Sequence, residues 1–244
     1  MPRFFLELAY KGTDYAGFQV QENANTIQSE VEKALTIYFR RKFELTGSSR
    51  TDAGVHAKQN FFHFDDEAMI EEWDKTVYHL NAILPPDIVI HSIRQVDASA
   101  HCRFDALSRS YEYSIYRKKD PFLNDRAYFF PYKLDIGLLN AAAAIVRLTT
   151  DFESFAKRNA QVYTYNCSIL ESRWVYITDN LLQYQVTGNR FLRGMVRGLT
   201  GTMLKVGTGK LSLKQFEQVI AARNPASADF SVPAQGLMLV AVRY

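Results

Sequence analysis

The sequence predicts an α+β chain made of two α/β domains, residues 1–107 and 108–244. Two observations carry this. Runs with strand-like alternation interleave from end to end with segments whose apolar residues recur every three or four positions. The order strand, helix, strand, strand, helix, strand fills the chain to about residue 107, and a similar alternation follows without a Gly/Ser-rich or Pro-rich linker. With 244 residues, 47% of them apolar, the chain is long enough to bury a substantial core.

Arg3 to Tyr10 reads as the first strand. In the loop after it Tyr10, Gly12, Asp14, Tyr15, Gly17, Phe18 and Gln19 alternate aromatic, small and polar groups. Asn25 is placed to cap the next helix with Gln28 reaching back, and Ile27, Val31, Ala34, Leu35 and Tyr38 mark its buried face. Arg40-Arg41-Lys42 ends that helix, where cations suit the dipole. Lys42 to Thr46 alternates polar and apolar, and Phe61, Phe62 and Phe64 fill another strand, so Gly47 to Ala57 is a loop between strands. Ile70, Trp73, Val77 and Leu80 give a second amphipathic helix, stopped by Pro85-Pro86. Strands are then expected over Ile88–Arg94 and Ser108–Tyr116.

In the second half, Asp135 to Leu148 is Ala-rich and helical, and Val162–Ile177 with Asn180–Thr187 reads as a pair of long strands. Asn189 is expected to open another helix. At about 100° per residue, Phe191, Leu192, Met195, Val196, Leu199 and Met203 fall in one arc and Arg190, Arg193 and Arg197 in the opposite one. Ser212 with Gln215 caps a last helix ended by Asn224-Pro225, and Gly236 to Val242 is a closing strand.

A net charge of +3 says little by itself, but the cations cluster. From Asn180 through Phe216 there is no acidic residue, whereas Arg190, Arg193, Arg197, Lys205, Lys210 and Lys214 all occur. Solvated faces normally mix signs, so this one points to nucleic acid or a buried carboxylate. Gly194, Gly198 and Gly201 each cost about 1 kcal/mol relative to Ala inside a helix, which implies that some backbone approaches there. Cys102 and Cys167 form no paired spacing, so neither a disulfide framework nor a cysteine zinc site is supported, and a reducing cytoplasm fits. No leader-like segment and no apolar run of membrane-spanning length is visible, and a soluble intracellular protein is expected.

The stretch Gly47-Ser48-Ser49-Arg50-Thr51-Asp52-Ala53-Gly54-Val55-His56-Ala57 packs a carboxylate, a guanidinium, hydroxyls and an imidazole between glycines. Asp followed by Gly two residues later is also ordinary turn chemistry. Arg50 to Ala57 nevertheless resembles the signature of the TruA family of tRNA pseudouridine synthases. Further matches follow in family order: the Tyr10–Gln19 loop, His101-Cys102-Arg103-Phe104, Ser108–Tyr113, Phe191–Gly198 and Gly236-Leu237. Trp is usual where Phe18 stands, a small residue where Cys102 stands, and a polar or aromatic residue where Gly194 stands.

The resemblance implies the pseudouridine synthase fold, with mainly antiparallel sheets joined into one central sheet, and a homodimer acting on tRNA. It implies isomerisation of uridine in the anticodon stem-loop: the glycosidic bond is cut, the uracil turns, and C5 rejoins the ribose. Nothing is oxidised and no group is imported, so no cofactor is called for. Asp52 is implied as nucleophile or base, with Arg197 holding it ionised and oriented. Tyr111 is implied against the target uracil and Leu237 on its other side, while Arg50 fills the space that the extruded base leaves. Arg190 and Arg193 would contact RNA.

Other readings of the same residues stand beside these. Phe18 serves equally as a loop anchor or an RNA contact, and Tyr111 with Tyr113, on one face of a strand, serves as a core pair or a stacking surface. A non-catalytic structured-RNA-binding protein would use the same basic helix and tyrosines, but has no use for an acid facing phosphate, which makes Asp52 the discriminating residue. A hydrolase built on Asp52 and His56 lacks any accompanying metal-ligand cluster or nucleophile elbow, and His56 reads as a loop-ordering hydrogen bonder.

Overall fold

The computed structural model describes residues 1–67, 72–157 and 162–244. In chain order the elements are β1 (Arg3–Tyr10), α1 (Ile27–Phe39), β2 (Thr46–Gly47), β3 (His56–Asp65), α2 (Trp73–Ile83), β4 (Ile88–Val96), β5 (Ser108–Tyr116), β6 (Tyr128–Phe129), α3 (Ile136–Leu148), β7 (Ile169–Thr178), β8 (Leu181–Gly188), α4 (Met195–Gly207), α5 (Leu213–Ala221) and β9 (Leu237–Arg243). The fold is α+β. Among the described residues no helix is long and apolar enough to cross a membrane.

The chain forms two compact units, one of Met1–Leu107 with Leu239–Tyr244 and one of Ser108–Met238. The C-terminal segment thus rejoins the first unit instead of staying with everything after residue 107. Its reason is visible in β9, which lies beside β3. Val242 N donates to Gln59 Oε1 at 3.0 Å, Leu107 N to Arg243 O at 2.8 Å, and the Tyr244 hydroxyl to Cys102 O at 2.6 Å. The Tyr244 ring also packs against Phe5 and Phe61, with centroids 5.2 Å away in each case.

In the first unit the strand order is β4-β1-β3-β9, with β2 beside β3. The β1–β3, β1–β4 and β2–β3 pairs are antiparallel. Ile27, Val31, Ala34 and Leu35 form the buried face of α1, with Tyr38 half-buried at its end. The cap is Thr26, one residue later than expected: its hydroxyl accepts from Ser29 N at 3.2 Å and Ser29 Oγ accepts from Thr26 N at 3.0 Å. Asn25 instead gives its carbonyl to Ala16 N at 2.8 Å and so belongs to the entry loop. Arg40, in the left-handed region at φ 55°, ends the helix. The cations therefore lie beyond the last turn, and Arg41 turns back to pair with Asp66 and to cover the Phe43 ring at 4.5 Å. Phe43 and Leu45 are buried as their alternation requires, but only Thr46 and Gly47 pair as strand. In α2 Trp73, Val77 and Leu80 point inward or partly so, while Ile70 lies outside the described residues.

In the second unit β5, β8 and β7 are neighbours in that order, antiparallel, with β6 parallel to β5. Asn140 fastens α3 to β7 by a bond pair with the Trp174 backbone, donating to its carbonyl at 3.1 Å and accepting from its N–H at 2.8 Å. The strand expected from Val162 begins only at Ile169. Before that point Cys167 N donates to Thr150 O and Ser168 N to the Asn189 side chain, so this backbone is bonded elsewhere.

The helix expected from Asn189 begins at Met195. Asn189 is occupied at the strand end, with its side chain accepting from Ser168 N and its carbonyl from Arg109, and Gly194 takes φ 75° just before the helix. Arg190 and Arg193 consequently lie ahead of α4 and only Arg197 lies within it, so the three do not form one helical stripe. The close backbone approach is present: a Cβ on Gly201 would sit 2.3 Å from Asp229 O. Leu199 and Met203 fill the buried side as predicted.

His63 on β3 makes stability depend on pH. Burial, and then the charges of Arg3 and His101, lower its pKa to about 4 from 6.5, while Asp65 and Asp105 oppose. The unfolded chain therefore binds a proton that the folded one refuses between these values, and stability falls as pH drops from 6.5 towards 4. Unfolding temperatures measured between pH 7.5 and 5 should decline in the native protein and stay flatter in His63→Gln, because the depressed carboxylates Asp65, Asp97 and Asp229 release their contribution at lower pH. Parallel profiles for the two proteins would contradict this.

Candidate active site

In the first unit Asp52 sits half-buried on the loop between β2 and β3, with Arg50 exposed beside it. The loop is fixed on both sides of the acid. Thr51 O accepts from Phe18 N at 3.1 Å, and Asp52 O accepts from Val55 N at 3.2 Å. The Thr51 hydroxyl lies 2.7 Å from the Tyr10 hydroxyl, and His56 Nδ1 accepts from Gly12 N at 3.0 Å. His56 is therefore a loop-ordering group, as its position suggested.

Asn60 is the hub beneath this loop, and the sequence reading passed over it. Its Oδ1 accepts from Ser49 N at 3.2 Å and Phe61 N at 2.9 Å, while Nδ2 donates to Ser49 O at 2.9 Å and to the Tyr10 hydroxyl at 3.2 Å. Every amide site is thus used in a fully buried position, the condition under which such a network fixes geometry. The available signal is slight: Asn60 is the last of three polar residues, Lys58-Gln59-Asn60, directly before Phe61 and Phe62. Phe18 is buried and stacks on Phe62 at 4.5 Å and on Tyr10 at 5.7 Å, which makes it the loop's anchor and removes it as an RNA contact.

In the second unit Tyr113 and Tyr111 separate. Tyr113 is buried, donates its hydroxyl to Pro233 O at 2.7 Å, and is held by burial above the ordinary tyrosine range against the opposing field of Arg197. Tyr111 is half-buried and meets Phe191 edge to face at 5.1 Å and 80°. Arg197 donates from Nε at 2.9 Å and from Nη2 at 2.7 Å to Val232 O. Arg197 and Tyr113 together tie down the segment that leads to buried Leu237. Arg190 is half-buried, and Arg193 is exposed with its carbonyl accepting from Lys157 N at 2.9 Å. Lys205 is already paired with Asp229 at 3.1 Å, so the acid-free stretch is not wholly unbalanced.

A sequence model of the family described as tRNA pseudouridine synthase matches residues 8–105 and 148–244. The chain belongs to that family. Its relatives include tRNA pseudouridine synthase A of Parabacteroides distasonis, 41% identical over 244 residues that span 100% of this chain and 96% of the relative. The enzyme of the same name from Porphyromonas gingivalis is 42% identical, spanning 100% of this chain and 98% of its own. That from Bacteroides fragilis is 40% identical, over 99% and 96%.

As a tRNA pseudouridine synthase family member, the chain has Arg50 and Asp52 inside the first matched segment, and Arg190, Arg193, Arg197 and Leu237 inside the second. Tyr111 falls between the two, with its ring half-exposed.

Proposed function

We propose that this chain isomerises uridine to pseudouridine in the anticodon stem-loop of tRNA, with Asp52 as the catalytic carboxylate. The observation that carries the reading is Asp52 itself: an acid left half-exposed on a loop whose backbone is bonded on either side of it. A nucleophile needs such positioning, because a correctly held reactant turns a bimolecular step into an effectively unimolecular one. A module that only binds RNA gains nothing from a fixed carboxylate facing phosphates.

In this reading Asp52 is the catalytic carboxylate and Arg197 its counter-ion, Arg50 fills the space left by the extruded base, Tyr111 and Leu237 are the two faces around the uracil, and Arg190 and Arg193 contact the backbone. The reaction is redox-neutral and imports no group, so side chains and the RNA suffice. A cytoplasmic homodimer belongs to the same proposal. The test follows tritium released from C5-labelled uridine in tRNA transcripts, since isomerisation leaves mass unchanged. Release that disappears when the anticodon stem-loop uridines alone are replaced supports the site. Release that persists moves the target elsewhere, and no release from any tRNA removes the activity.

Arg193 and Arg197 should separate. Arg193→Ala is expected to weaken tRNA binding and to reduce the salt slope of log Kd by about 0.7–0.9, the value for one phosphate contact. Arg197→Ala should bind tRNA but turn it over at least about a hundredfold more slowly, the scale for losing one preorganised charge partner. Thermal unfolding of Arg197→Lys checks that the loss is not simply the release of Val232. Equal losses of affinity in both Ala variants, with turnover of bound tRNA intact, would contradict the assignment.

A further inference from the structure

His101, Cys102, Arg103, Phe104 and Asp105 form a turn that is fastened more firmly than its exposed position requires. His101 N donates to Asp105 Oδ2 at 2.7 Å and Asp105 N returns to His101 O at 3.0 Å. Beneath it, buried Cys102 donates its thiol to Thr46 O at 3.2 Å, and its carbonyl accepts from the Tyr244 hydroxyl at 2.6 Å. His63 Nδ1 lies 3.1 Å from the Cys102 sulfur.

His63, His101 and Cys102 have the residue types of a metal site and lie within 4.8 Å of one another. Their hydrogen bonds argue otherwise. His101 Nδ1 accepts from Arg103 N at 3.1 Å and from Phe104 N at 3.3 Å, so its lone pair is taken and the ring proton resides on Nε2. The cluster is a support. On it stands a ladder of rings running outward: His63 to His101 at 4.6 Å, then His101 to Phe104 at 4.2 Å.

Phe104, the last rung, is 75% exposed. The Arg103 guanidinium lies 5.8 Å from its ring centroid. A rigid aromatic face with a cation beside it matches a nucleobase with its phosphate, because stacking needs one flat ring and tolerates polar surroundings. A protein partner would need about 800 Å² of desolvated surface on each side, whereas this ring is flanked by His101, Arg103 and Asp105.

We infer that Phe104 is a stacking platform for an unpaired base of the tRNA substrate, separate from the target uridine. This rests on tRNA being the substrate. The test compares Phe104→Ala, Phe104→Leu and Phe104→Trp for thermal unfolding, for oligomeric state by sedimentation, and for Kd towards unmodified tRNA transcript. Because the side chain is exposed, all three should unfold like the native protein. Stacking predicts that Ala and Leu weaken binding by about fivefold to a hundredfold, the range converted from alanine substitution at stacked bases, and that Trp restores it. Native affinity in the Ala variant overturns the inference. Full rescue by Leu reduces the contact to apolar burial and also overturns it, as does a binding loss that accompanies dissociation into monomers. If the native protein binds no tRNA and releases no tritium, it is the tRNA substrate itself that fails; if the native protein is active and the Ala variant matches it, only the platform fails.

Discussion

Asp52→Asn protein should fold, bind tRNA, and release tritium from C5-labelled uridine at less than about a thousandth of the native rate, a barrier increase of roughly 4 kcal/mol. Asn keeps the shape of the side chain and removes the charge and the nucleophilic oxygen. The loop around it is held by main-chain bonds from Phe18 N to Thr51 O and from Val55 N to Asp52 O, and by the Tyr10, Thr51 and Asn60 side chains. None of these is lost in the variant, so inactivity with native unfolding temperature and native Kd isolates the chemical step. If the Asn variant turns over appreciably, Asp52 is not the nucleophile, and a non-catalytic role for the loop becomes the better account. If both the native and Asn proteins bind but neither releases tritium, the chain is an RNA binder only.

How far the sequence reveals this site depends on the range of the interactions involved. Local signals read well: Ser212 and Gln215 form the capping box their spacing announces, and Ser108–Tyr116 is a strand at its expected bounds. Errors arise where a distant partner competes for a local group. Asn189 has the chemistry of a helix cap, but Ser168 N takes its side chain, and Gly194 at positive φ delays α4 to Met195. Asn25 loses the cap to Thr26, its backbone carbonyl being bonded to Ala16 N in the entry loop. The strand expected from Val162 loses its early residues to Thr150 and Asn189. Asn60 was invisible for the opposite reason, since three of its four bonds reach Ser49 and Tyr10 across the fold and only the Phe61 contact is local. Residue type and spacing thus single out the candidate loop but do not show what holds it still.

Tyr111→Phe poses the sharper question, because a neighbouring tyrosine on the same strand supplies its own control. The variant keeps the ring that meets Phe191 edge to face, so the fold and the stacking surface should survive. What it loses is a hydroxyl. Rejoining at C5 leaves a proton there that must depart before pseudouridine is complete, and a phenol lying on the uracil can relay it. General acid–base contributions of this kind are worth about 10²–10⁴-fold, and a fall of that size in turnover, with Kd and unfolding temperature unchanged, is the expected result. Tyr113→Phe should behave in the opposite manner. Its hydroxyl is buried on Pro233 O, so removing it strands an acceptor at a cost of about 1–3 kcal/mol, read as a lower unfolding temperature with turnover per folded molecule retained. A fully active Tyr111→Phe would reduce that residue to a stacking surface. A slow Tyr113→Phe beside a fast Tyr111→Phe would move the proton relay to the segment that carries Leu237.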